Sequence, residues 1–138
     1  MNNDQTAAQN KQIIEKANDL VADGNYQQFV NLCAEDVKWT ILSQGEPMTL
    51  DGRDAIVDFM GPKSNKPSDP PAFTITKIIA DDDGVASCGE MTMKEKDGST
   101  SYHSFCDIYT FKDGQITDLI THMNRTDAQR GKENSASA

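Results

Sequence analysis

The sequence predicts an α+β domain: N-terminal helices packed on a strongly curved, mainly antiparallel sheet that forms a cone with one internal pocket. Three observations carry this expectation. Apolar residues recur at helical spacing near the start of the chain. They alternate with period two over most of its second half. Asp-Gly pairs separate the alternating runs, which is a hairpin pattern and not that of parallel strands joined by helices.

Each element follows in order. Ala7 to Ala22 reads as a helix, with Ile13, Ile14, Ala17, Leu20 and Val21 on one side. Asp23-Gly24 stops it, because glycine tolerates the left-handed cap position. A second helix runs from about Tyr26 to Cys33, with Tyr26, Phe29, Val30 and Cys33 aligned. In the strand DVKWTIL, Val37, Trp39 and Ile41 face one way and Lys38 and Thr40 the other. A turn-rich stretch leads to GRDAIVDFM, a short amphipathic helix presenting Ala55, Ile56, Phe59 and Met60. Gly61-Pro62 ends it, and residues 61–72 form a proline-rich loop of a length that suits a lid or a mobile segment. Four strands remain: FTITKIIA, VASCGEMTMKE, TSYHSFCDIYTF and ITDLITHM, turning at DDDG, KDGS and KDGQ. The division expected is a flexible N-terminus (1–6), one domain (7–125) and a polar, disordered tail (126–138).

Composition excludes several function classes. The chain has 138 residues and a formal net charge of -9, so it repels phosphate backbones and anionic lipid. Nucleic acid and membrane are therefore not expected as partners. No stretch approaches the roughly 20 apolar residues of a spanning helix. The N-terminal MNNDQTAAQNKQ is polar, without an apolar signal region. Cys33, Cys88 and Cys106 are odd in number and form no CxxC, which fits a reducing compartment, and a cytoplasmic location is expected. His103 and His122 have no acid at metal-ligand spacing, so no metal is expected.

The order helix, DGN, helix, EDVKWTI, Gly52-Arg53-Asp54-Ala55-Ile56, and hairpins closing on Phe111-Lys112-Asp113-Gly114-Gln115-Ile116 resembles the SnoaL-like and ketosteroid isomerase-like families of the nuclear transport factor 2-like superfamily. The resemblance spans about Ile13 to Met123. It implies the cone, a single apolar pocket, no cofactor and pairing of two copies through the outer sheet face. Ketosteroid isomerases use a general-base Asp on the first long strand, a Tyr on the first helix and a protonated Asp on a later strand. Rough alignment puts these at Ile41, Ala17 and Asp107, so one of the three groups is kept and that mechanism is not expected. The carboxylate positions of limonene epoxide hydrolases fall near Glu90 and Thr121, and a threonine cannot act as a carboxylate.

Three residues are candidates for chemistry. Asp107 shares a strand face with His103, Phe105, Tyr109 and Phe111, where desolvation raises a carboxyl pKa; its alternative role is a backbone cap or a solvated edge. Glu90 joins that face if the Asp97-Gly98 turn has two residues and pairs Lys96 with Ser99. A bulged three-residue turn sends it to the other face. His103 lies about 13 Å from Asp107 along the strand, so only a ligand could join them. Trp39, Ile41, Phe59, Phe105, Tyr109, Thr121 and Met123 are the candidate ligand-binding residues, with core packing the alternative for the apolar ones. Met91, Met93, Tyr102 and Cys106 are expected on the outer face, where a homodimer would form. The expected function is the binding of a small apolar molecule. The alternative is a cofactor-independent acid/base enzyme of isomerase, cyclase or hydrolase type, with Asp107 assisted by Glu90 or His103.

Overall fold

In a computed structural model of the protein, residues 3–43, 45–60, 72–95 and 97–126 are described. Most of the proline-rich loop and of the polar tail lies outside the described residues, as do residues 1–2.

Helix α1 (Asn3–Ala22) starts ahead of Ala7, so residues 3–6 are helical and not an irregular lead. A helix whose later turns are anchored in the core can extend beyond them. Ile14 and Ala17 supply that anchor and are fully buried. Gly24, with φ 80°, ends the helix. Its N–H donates to Val21 O and the next N–H, from Asn25, to Leu20 O, which satisfies the last carbonyls. Helix α2 (Tyr26–Val30) is shorter than expected. Cys33 leaves it and opens strand β1 (Cys33–Leu42). A short strand, β2 (Met48–Asp51), pairs antiparallel with β1 inside the stretch that reads as turns. Helix α3 (Arg53–Met60) follows and buries Ile56.

Strands β3 (Ala72–Ala80), β4 (Gly84–Lys94), β5 (Thr100–Lys112) and β6 (Gln115–Arg125) form an antiparallel meander. The six-stranded order is β2-β1-β6-β5-β4-β3, and β1 pairs parallel with β6. The sheet is curved and open, and helices cover its inner side: α1 lies on β3 and β4, while α3 packs on β1 and β2. The core sits between them. Ile14, Phe29, Val30 and Ile56 from the helices meet Val37, Val85, Tyr109, Ile116 and Leu119 from the strands.

Three local features bend and register the sheet. The β5–β6 turn is the two-residue Asp113-Gly114 hairpin expected, with φ 52° and 81°. The ladder slips between Ile75 and Lys77 of β3, opposite Gly89. A Cβ on Gly89 would stand 2.1 Å from Thr74 O, so only glycine lets the two strands approach there. The third feature is an irregularity between Cys33 and Lys38 of β1. It leaves Cys33 O to the Arg53 guanidinium, whose Nη2 donates at 2.6 Å and Nε at 3.1 Å. That is the physical content of the GRDAI run: its arginine closes the backbone accounting of a bulge twenty positions upstream.

Candidate functional site

Residues paired across adjacent strands share a face, so register determines what the concave side presents. One row across the sheet is Ala80, Val85, Tyr109, Leu119 and Trp39. The next is Ile78, Ser87, Asp107, Thr121 and Ile41. Two more follow toward the open end: Ile75, Gly89, Phe105 and Met123, then Phe73, Met91, His103 and Arg125. Among the residues of these four rows, Asp107 is the one acid.

Asp107 is held from one side. Thr121, 3% exposed, donates its hydroxyl to Asp107 Oδ1 at 2.6 Å. The Thr121 hydroxyl oxygen in turn accepts the indole N–H of Trp39 at 2.9 Å. The hydroxyl thus has one donor and one acceptor, and its proton is committed to the carboxyl. Burial raises the Asp107 pKa from its ordinary value of 3.8 to about 6, against the lowering effect of the Thr121 hydrogen bond. Desolvation wins because a single hydroxyl replaces the water shell of a carboxylate. The aspartate as a whole residue remains partly exposed. Tyr109, in the adjacent row, is 4% exposed, and burial together with Asp107 and Cys33 pushes its phenol well above its ordinary range. A neutral Tyr109 beside a nearly neutral Asp107 gives this region little charge at mildly acid pH.

The other apolar candidates distribute around this centre. Trp39 is half-buried and meets Phe59 edge to face, ring centroids 5.6 Å apart. Phe59 is 48% exposed, so it flanks the tryptophan from α3 instead of filling the core. Ile41 stands beside Thr121 in register, an apolar neighbour to the polar pair. Ala17 is buried in the core. Phe105 lies opposite Met123 and meets Phe73 edge to face at 6.3 Å. Tyr109 belongs to the core cluster.

Glu90 is not in this group. Lys94 pairs with Thr100, Glu95 N–H donates to Ser99 O, and Gly98 takes φ 90°, so the turn is the three-residue bulged form. The Asp97 carboxylate fixes it by accepting from both N–H and hydroxyl of Ser99. Register moves by one residue relative to a two-residue turn, and every side chain on β4 changes face. Glu90 pairs with Ser104 and is exposed on the outer side. Met91 and Met93, expected outside, pair with His103 and Ser101 inside. His103 does share the face of Asp107, two rows away, and its Nε2 lies 3.0 Å from the Ser101 hydroxyl. The geometry therefore does not bring Asp107, Glu90 and His103 together.

Two polar residues complete the inner row without having been expected. Ser87 is fully buried beside Asp107 in register, and Asn18 of α1 donates to its hydroxyl at 3.3 Å. The alternation VASCG aligns Ser87 with Val85 and Gly89, but only the register shows which residue it neighbours. Among the described residues no group of three His, Cys, Asp or Glu stands close enough to hold a metal. A separate polar depression lies around Asp36, Lys38, Lys112, Asp113, Gln115 and Asp118, away from Asp107. No described helix is long and apolar enough to cross a membrane.

Comparison with known proteins agrees with this architecture. Bal32a, from a soil-derived mobile gene cassette, shares 20% identity, with a TM-score of 0.73 over 86% of this chain and 91% of that one. A candidate polyketide cyclase from Xanthomonas campestris pv. campestris shares 19% identity, with a TM-score of 0.68 over 85% of this chain and 91% of its own. TerC, co-crystallised with polyporic acid, shares 19% identity, with a TM-score of 0.67 over 82% and 89%. At these identities the likeness is one of fold. No curated protein matches the sequence. The family model of the SnoaL-like domain matches residues 14–119, from the first core isoleucine of α1 to the β6 leucine of the Trp39 row, and the chain belongs to the SnoaL-like family.

Proposed function

We propose that the concave face binds a small apolar molecule carrying one hydrogen-bonding oxygen, which Asp107 recognises. The observation that carries this reading is the polar chain Trp39–Thr121–Asp107, flanked by apolar side chains on the concave face. Ile41, Ile78, Phe105 and Met123 offer area to an apolar body. A protonated Asp107 donates to a carbonyl or hydroxyl oxygen, and one carboxyl oxygen stays without a hydrogen bond from the described residues. TerC, which shares the fold, was co-crystallised with polyporic acid, a small organic molecule.

A direct test uses Trp39, the only tryptophan, as reporter. Emission is followed during titration with 1-naphthol and with naphthalene, which lacks the oxygen. The expected result is a saturable change with naphthol, at least tenfold weaker in Asp107→Ala, and weaker binding of naphthalene. Absence of any saturable change with either probe contradicts the reading.

Acid/base catalysis is the second reading, and one observation favours it: a carboxyl at about 6 exchanges protons near neutrality. Asp107 would act without Glu90, which faces outward. We further propose that the protein is cytoplasmic and that two copies pair through the outer face. Ile79, Tyr102, Ile108 and Ile120 are each more than a third exposed there, and Ile79, Ile108 and Ile120 lie in one row.

A further inference from the structure

The outer face carries a second row with its own chemistry: Lys77, Cys88, Cys106 and His122, in register across β3 to β6. Cys88 and Cys106 are direct cross-strand partners, both partly exposed and both free thiols. Their sulfurs lie 2.7 Å apart, closer than unbonded sulfurs normally stand. Directly opposed residues of antiparallel strands have Cα atoms about 4.5 or 5.5 Å apart. A disulfide spans Cα separations of roughly 4.4 to 6.8 Å. The sheet therefore needs no rearrangement to accept the bond. Lys77 and His122 flank the two cysteines in register on the same face.

We propose that Cys88 and Cys106 form a reversible dithiol–disulfide site that takes small-molecule disulfides of the glutathione disulfide class as its oxidant. The Cys88 thiolate attacks one sulfur of the small disulfide. That S–S bond breaks, a mixed disulfide forms, and the first small thiol leaves with a proton. Cys106 then attacks the Cys88 sulfur, expels the second small thiol and passes its proton to it. Two S–H bonds are lost and one S–S bond is made; two electrons pass to the small disulfide, which ends as two thiols. Burial, the neighbouring Cys88 and the charge of Asp107 push the Cys106 thiol up to about 12. The second attack is intramolecular and gains from proximity. Cys33 is an internal control. It is 1% exposed in the core, and burial pushes its thiol up to about 11 despite the Arg53 charge.

The test treats the full chain with glutathione disulfide at pH 8 and follows intact mass and peptide maps after alkylation. The expected product has lost two hydrogens, contains a peptide joining Cys88 to Cys106, keeps Cys33 alkylatable and returns to the starting mass with dithiothreitol. Cys88→Ser and Cys106→Ser should each lack the two-hydrogen loss. A lasting glutathione adduct on the wild type, a disulfide between two copies, or retention of all three thiols would overturn the proposal.

Discussion

The Thr121 hydroxyl donates to Asp107 Oδ1 at 2.6 Å while its oxygen receives the Trp39 indole N–H, so one β6 side chain sets both the acid and its fluorescent neighbour. Thr121→Val keeps the shape and removes both bonds. The Trp39 N–H then loses its acceptor, which costs about 1–3 kcal/mol. Urea unfolding followed by Trp39 emission should show this loss, and the folded-state emission should move to shorter wavelength. The Asp107 pKa should rise further, because the one interaction favouring its ionised form is gone.

Asp107→Asn should stabilise the protein near neutrality. The folded pKa of about 6 lies above the ordinary 3.8, so the folded state holds its proton more tightly than the unfolded one. The associated stability is fully present below about 3.8 and is lost as pH rises to about 6. Above that, ionisation in the fold costs up to about 3 kcal/mol, taking ~1.36 kcal/mol per pKa unit. Denaturation should show a gain of about 1–3 kcal/mol for the variant at pH 7.5 and almost none at pH 4. An equal effect at both pH values would point to packing and not to charge.

Arg53→Met should lose about 1.5–3 kcal/mol, the range of hydrogen bonds made by charged groups, because the Cys33 carbonyl would be left unpaired in the β1 bulge. Chemical unfolding measures the loss. Slower alkylation of Cys33 should accompany it if the fold holds, since Arg53 lowers that thiol's pKa.

Pairing through the outer face predicts twice the chain mass in light scattering at micromolar concentration. Ile108→Glu, at a residue 41% exposed, should give monomers of unchanged circular dichroism. A wild type that is monomeric at all concentrations contradicts the pairing.

Much of the architecture was legible because local pattern and tertiary role coincide. Ile14 and Ala17 mark the buried side of α1, and Asp113-Gly114 fixes the last hairpin. The desolvated surroundings of Asp107 follow from its aromatic strand neighbours. The face of Glu90 was not legible, because it depends on one residue of turn length at Asp97-Gly98, and both lengths suit that dipeptide. The same slip carried Met91 and Met93 from the outer to the inner side. Strand β2 was missed because MTLD is too short to show alternation and is held by its β1 partner. The Trp39–Thr121 bond joins residues 82 positions apart and has no local signature.

The measurement closest to the centre of this account is the titration of the Asp107 carboxyl carbon by NMR, assigned by its loss in Asp107→Asn. Desolvation on the concave face predicts an apparent pKa of about 6, shifting when 1-naphthol is added. A value near the ordinary 3.8, unmoved by the probe, would mean that Asp107 is solvated like a surface acid and that the concave face is not organised around it.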